Sequence, residues 1–155
     1  MQDPDAPIAC AEIILRGAKR KFLGWNPACP SQPTVLYQAF TLRQDESYLS
    51  VDRLSRSTCE ASFARWPANL LAAASLHVGR VRDLGLRVEP RTQDAPDDPA
   101  HAGIVGLPSA HASEGEFERA KVLAIALCEM SRLLALRGPE VLSKLRRDYD
   151  QRAGQ

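Results

Sequence analysis

The sequence predicts an α+β fold: a small mixed or antiparallel sheet of about five short strands, a long helix over residues 114–137 as its main cover, and a short terminal helix. Three observations carry this. β-prone runs recur near residues 34–42, 47–52, 75–79, 86–89 and 102–106, separated by turn-forming residues. The stretch from Glu114 to Arg137 contains no proline and, after Gly115, no glycine. Gly138-Pro139 then ends one helix and opens another.

In chain order, residues 1–7 are acidic and broken by proline, which predicts a loose tail ahead of a single domain over 8–155. Ile8, Ala11, Leu15, Ala18 and Phe22 recur at three- and four-residue steps and predict a helix closed by Gly24, with a short strand at 13–15 as the competing reading. Pro27, Pro30 and Pro33 mark 25–33 as a connecting loop. Residues 34–42 and 48–51 flank a polar turn and predict a hairpin. Ser57 and Glu60 have capping-box spacing and open a short helix that Pro67 ends. The alanine- and leucine-rich segment 69–74 predicts a helical turn, followed by short strands at 75–78, 86–89 and 104–105.

Ser113 and Glu116 form a second capping box, and the helix they open has the clearest pattern in the chain. At 100° per residue, Leu123, Leu127, Met130 and Leu134 fall on one core stripe, with Val122, Ala126 and Leu133 beside it. Ile125 and Leu136 fall on the opposite, charged side. Leaving them in water would forgo roughly 1.5–3 kcal/mol each, so they are the candidate interface residues, covered by the final helix or by a partner. The short Gly138-Pro139 link favours a helix hairpin.

Composition narrows the function classes. Hydrophobic residues at 45% and charged residues at 25% are those of an ordinary globular protein. A net charge of +1 supplies no long-range attraction to phosphate backbones, which argues against nucleic acid as a partner. The basic runs Lys19-Arg20-Lys21 and Arg146-Arg147 are too short to reverse that. No apolar run is long enough to span a bilayer, and the N-terminus lacks the basic start and apolar core of a secretory leader, so the expected location is cytoplasmic. Cys10, Cys29, Cys59 and Cys128 have neither disulfide context nor zinc-ligand spacing and read as reduced thiols. Phosphate-loop, dinucleotide and His-Glu-x-x-His motifs are missing, so no cofactor or metal is assigned.

The candidate catalytic residues are His101, Asp98 and Ser50. Asp97, Asp98 and Pro99 lead into His101, and a carboxylate beside an imidazole fixes its tautomer and strengthens it as a base. Ser50 lies in a strand, without the Gly-x-Ser-x-Gly elbow of a hydrolase nucleophile. Arg43 and Arg53 flank that strand as candidate anion clamps. His77 sits on its own strand and shares a site with His101 only if the sheet brings them together, while His111 precedes a helix cap and reads as exposed.

Two functional classes follow. The first is a cytosolic accessory or adaptor protein working through a protein partner or a homo-oligomer, resting on the missing catalytic motifs and the apolar pair Ile125 and Leu136. The second is a small hydrolase or transferase on a phosphate-bearing, nucleotide-like substrate, with His101 as general base and an arginine as anion clamp. Convergence of His101, an acid and an arginine in one concave pocket would favour the second.

Overall fold

The structure is a computed structural model and describes residues 3–26, 28–109 and 111–153. The first two residues of the expected tail, Pro27, and the side chains of Cys29 and Pro30 lie outside the described residues. The elements run β1 (Ile13–Lys19), β2 (Leu23–Asn26), β3 (Cys29–Val35), β4 (Tyr48–Arg53), α1 (Cys59–Arg65), β5 (Leu70–His77), α2 (Val78–Asp83), β6 (Arg87–Pro90), β7 (His101–Val105), α3 (Glu114–Met130), β8 (Arg132–Leu136) and α4 (Pro139–Ala153). Among the described residues, six strands form one antiparallel sheet in the order β6-β7-β4-β1-β5-β8, and β2 and β3 form a separate ribbon. The α+β class therefore holds, with helices set against an antiparallel sheet.

Three segments expected as helix are strands. β1 takes the place of the first helix, and both Ile14 and Leu15 are fully buried. A central strand covered on both faces loses its two-residue alternation, which lets a helical spacing be read into it. β5 replaces the helical turn at 69–74. Its alanines 72–74 are fully buried beside β1, where small side chains fit between closely packed layers. β8 replaces the last part of the long helix, because α3 stops at Met130 and Ser131 turns extended, its hydroxyl donating to the Cys128 carbonyl at 2.7 Å.

The predicted hairpin is also rearranged. Residues 37–40 form a 3-10 turn with Phe40 fully buried, β3 pairs with β2, and β4 pairs with β1 and β7. Pro30 and Pro33 of the expected loop fall in β3, with Pro33 opposite Trp25. A two-stranded ribbon has free edges that tolerate proline. The cap of α1 shifts by one residue: the Thr58 side chain accepts the Ala61 N–H at 3.0 Å. Ser113 caps α3 as predicted, accepting the Glu116 N–H at 3.1 Å. Gly138 is not left-handed; Gly85 is, with φ of 84°, immediately after α2.

Within the expected tail, Asp5 and Ala6 are hydrogen-bonded to the rest of the domain. The Ala6 carbonyl accepts from Arg53 at 2.9 Å, and Asp5 accepts from the Thr92 hydroxyl. The main core lies on the sheet face carrying Ile14, Leu49, Val51, Leu76 and Ile104, packed with Phe40 and α3. Ala120, Ala124 and Leu127 are the buried residues of α3, with Leu123 and Met130 of the expected stripe packed partly buried against the core, while Val122 is 63% exposed. Ile125 and Leu136 do not share a helix face, since Leu136 belongs to β8 and packs against the core. The final helix packs on β2 and β8 through Val141 and Leu145, and forms no hairpin with α3. Among the described residues no helix is long and apolar enough to cross a membrane.

Candidate active-site cleft

The site begins with strand register. Asp52 on β4 stands directly opposite His101 on β7. The neighbouring Arg53 N–H donates to the Ala100 carbonyl at 2.8 Å, which makes that pair the hydrogen-bonded one and Asp52–His101 the non-bonded kind, where side chains stand closest. Period-two alternation then places Tyr48, Ser50 and Asp52 on one face and Leu49, Val51 and Arg53 on the other. The first face carries the site.

Asp98 joins from the loop before β7. Of the two adjacent acids it is the one turned inward: its Oδ1 accepts the Ala100 N–H at 3.0 Å, while Asp97 is exposed. The donor atoms of Asp52, Asp98 and His101 all lie within 4.8 Å of one another. From α1, Arg65 spans both acids, with Nη2 3.2 Å from Asp52 Oδ2 and Nε 3.1 Å from Asp98 Oδ1. The Ser62 hydroxyl donates to the same Asp52 Oδ2 at 2.6 Å. Among the described residues Asp52 Oδ1 is buried without a hydrogen-bond donor. Burial, with the adjoining Asp98 carboxyl, pushes Asp52 above the usual carboxylate range, against the hydrogen bond from Ser62 and the charge of Arg65.

A second group supports His101. Tyr48 donates its hydroxyl proton to Asp94 Oδ2 at 2.6 Å, and its oxygen lies 3.3 Å from His101 Nε2. With its one proton given to Asp94, Tyr48 offers a lone pair to the imidazole, which selects the Nε2–H tautomer. Burial and the Asp94 acceptor push Tyr48 up to about 12, so it stays protonated at neutral pH. Burial lowers His101, opposed by Asp98 and Asp94, and favours the neutral ring. Gly103 makes this possible, since a Cβ there would stand 2.9 Å from Tyr48 Cγ, inside van der Waals contact with the ring.

The cleft follows the parting of two strands. β1 and β4 pair only at Ile14–Arg53 and Leu15–Asp52. Beyond that, the Ser50 carbonyl turns toward β1, and the Arg16 guanidinium takes it at 2.9 Å together with the Ala39 carbonyl at 2.9 Å. The opening is about 720 Å³, with Asp52, Asp98 and His101 on one part of its lining and Arg16, Lys19 and Arg43 on another. Among the described residues Arg16 has no carboxylate within ion-pair distance; Glu46, whose charge supports it, is paired with Arg43 at 3.3 Å. Burial lowers Arg16 to about 10, still charged at neutral pH.

The expected residues divide accordingly. Asp98, His101, Ser50 and Arg43 all line the cleft. Arg53 does not reach it: its Nε and Nη2 grip the two oxygens of Glu12, each at 3.0 Å, and the side chain is 3% exposed. His77 is exposed at the end of β5, opposite Ile13, and is not brought to His101; His111 is exposed. Asp52, Arg65 and Arg16 were missed, although Asp52 had a signal, standing two residues after Ser50 on a predicted strand. No protein-family model matches the chain, no curated protein matches its sequence, and no solved structure matches its fold.

Proposed function

We propose that the chain is a small hydrolase or transferase acting on a phosphate-bearing, nucleotide-like substrate bound in the cleft. The observation that carries the reading is Arg16, a partly buried cation with no carboxylate within ion-pair distance among the described residues, lining the same opening as Asp52, Asp98 and His101. A partly buried guanidinium whose supporting carboxylate, Glu46, is shared with Arg43 gains from a ligand anion. Lys19, Lys21 and Arg43 add positive charge around the opening. The acids and His101 supply the proton chemistry. The oxygen of water or an acceptor hydroxyl attacks phosphorus as the ester P–O bond breaks, and its proton passes to the imidazole. The leaving oxygen departs as an anion and takes a proton from solvent.

The test is a panel of phosphomonoesters, phosphodiesters and nucleotides, followed by turnover and by calorimetry. The reading expects turnover of one class, falling about 100-fold or more in His101→Gln. Neither binding nor turnover across the panel would end it. A cytoplasmic location belongs to the same reading and is supported by Cys10, Cys59 and Cys128 as free thiols.

A second reading, an adaptor working through a protein partner or a second copy, has one observation in its favour. Leu134 is 48% exposed on the edge strand β8, where strand addition can occur. Light scattering of the purified chain, with Leu134→Lys as the comparison, tests it. A monomer unaffected by the change removes the homo-oligomer.

A further inference from the structure

We infer that Asp52, Asp98 and His101 bind a first-row divalent cation on the wall of the cleft. The inference deepens the phosphate-ester reading and rests on it for the role of the ion, but the ligand set is argued from geometry alone. One donor atom from each residue lies within 4.8 Å of the other two, near the roughly 3–4 Å that separates ligands held at about 2.1 Å from one ion.

The division of oxygens points the same way. Arg65 and Ser62 both act on Asp52 Oδ2, and Arg65 and the Ala100 N–H both act on Asp98 Oδ1. Each carboxylate is thus held by one oxygen. The other oxygen of Asp52 is buried with no donor among the described residues, and the Asp98 carboxyl adjoins the group. A fully buried carboxylate oxygen with no donor among the described residues, held against a second carboxylate and beside an imidazole, is suited to a cation.

The outer contacts fit a ligand set. Metal-bound histidines have their second nitrogen hydrogen-bonded and metal-bound carboxylates are themselves anchored. Here Tyr48 faces His101 Nε2, which leaves the other ring nitrogen with its lone pair, and Arg65 and Ser62 anchor Asp52. Two carboxylates and an imidazole suit Mn²⁺, Fe²⁺ or Zn²⁺ better than Ca²⁺, which takes six to eight oxygens.

Charge closes the argument. The two acids and Arg65 sum to −1, and a divalent ion brings the cluster to +1, which suits an anionic substrate in the opening that Arg16 also lines. In that state His101 is a ligand, and the nucleophile is water made acidic by the ion instead of water deprotonated by the imidazole.

The experiment treats the chelator-stripped full chain with Mn²⁺ and follows the free-ion electron paramagnetic resonance signal. The inference expects one ion per chain and nitrogen modulation from one histidine in the pulsed spectrum. It also expects a Kd raised about tenfold or more in Asp52→Asn and His101→Gln. Absence of stoichiometric Mn²⁺ binding overturns it, and would leave a shared proton holding the two acids. Binding without nitrogen modulation in the wild-type chain also overturns it, a result that does not depend on any variant folding. Inorganic phosphate titrated in parallel separates the two readings. Ion binding without phosphate binding supports the metal site and removes the substrate class, whereas phosphate binding without the ion does the reverse.

Discussion

Asp52 and His101 face each other across the β4–β7 pair at a non-hydrogen-bonded position, the closest approach that an antiparallel sheet allows two side chains. Neither residue chooses this partner locally. The register does, and one residue's slip would replace Asp52 by Val51 or Arg53. Gly103, two residues along β7, keeps that register useful by admitting the Tyr48 ring, which in turn holds His101.

Gly103→Ala is therefore expected to displace Tyr48 and to cost about 1–3 kcal/mol, the range for overpacking. The cost should fall sharply when Tyr48→Ala is already present, because the two changes compete for one space. Urea midpoints of the two single variants and the double variant measure the coupling. Additive costs would show that the ring and the glycine are independent.

Arg16 separates charge from geometry. Arg16→Met removes both the cation and the donors to Ser50 and Ala39, whereas Arg16→Lys keeps the charge without the planar fork. Phosphate affinity should drop about tenfold or more in Arg16→Met and less in Arg16→Lys. Both should lose roughly 1–3 kcal/mol of stability from the freed carbonyls. Calorimetry and urea unfolding read the two effects, and unchanged phosphate affinity in Arg16→Met would end the anion assignment.

What the sequence reveals here depends on whether the controlling interaction is local. The Ser113 cap, the strand around Ile104 and the nearness of Asp98 to His101 are legible because each signal lies within a few residues. β1, β5 and β8 are not, because strands buried on both faces or built from alanine and leucine carry no alternation to read. The site splits the same way. Alternation alone separates Asp52 from Arg53, but which residue of β7 Asp52 meets is a long-range fact. Arg65 and Arg16 enter only through packing of distant segments, so no short pattern marks them.

The shift of the buried stripe on α3 has a measurable consequence. Leu127 is fully buried and Val122 is 63% exposed. Leu127→Ala should cost about 2–5 kcal/mol, while Val122→Ser should stay within about 0.5 kcal/mol. Comparable losses at both positions would mean that Val122 is covered in solution, by a second copy or a partner, and light scattering would then identify which.

The pair formed by Glu12 and Arg53 sets the acid limit of the fold. Burial raises the Glu12 carboxyl, but hydrogen bonds from Arg53, Ser55 and the Ala9 N–H outweigh it and hold the group down to about 2, below its ordinary 4.5. Because the folded value is the lower one, the contribution is fully present above about pH 4.5. It is lost progressively as pH falls toward 2, where the folded carboxyl also takes up its proton. Glu12→Gln removes the charge at every pH and leaves Arg53, 3% exposed, without a counter-ion. That should cost about 3 kcal/mol near neutrality, as for other broken buried pairs. Below pH 4.5 the difference between the two proteins should shrink, since the wild-type chain is then losing the same interaction. Urea unfolding of both between pH 2.5 and 7, a window set by the two Glu12 values, tests this. A stability gap that stayed constant across that window would mean that Glu12 acts through packing and not through its charge.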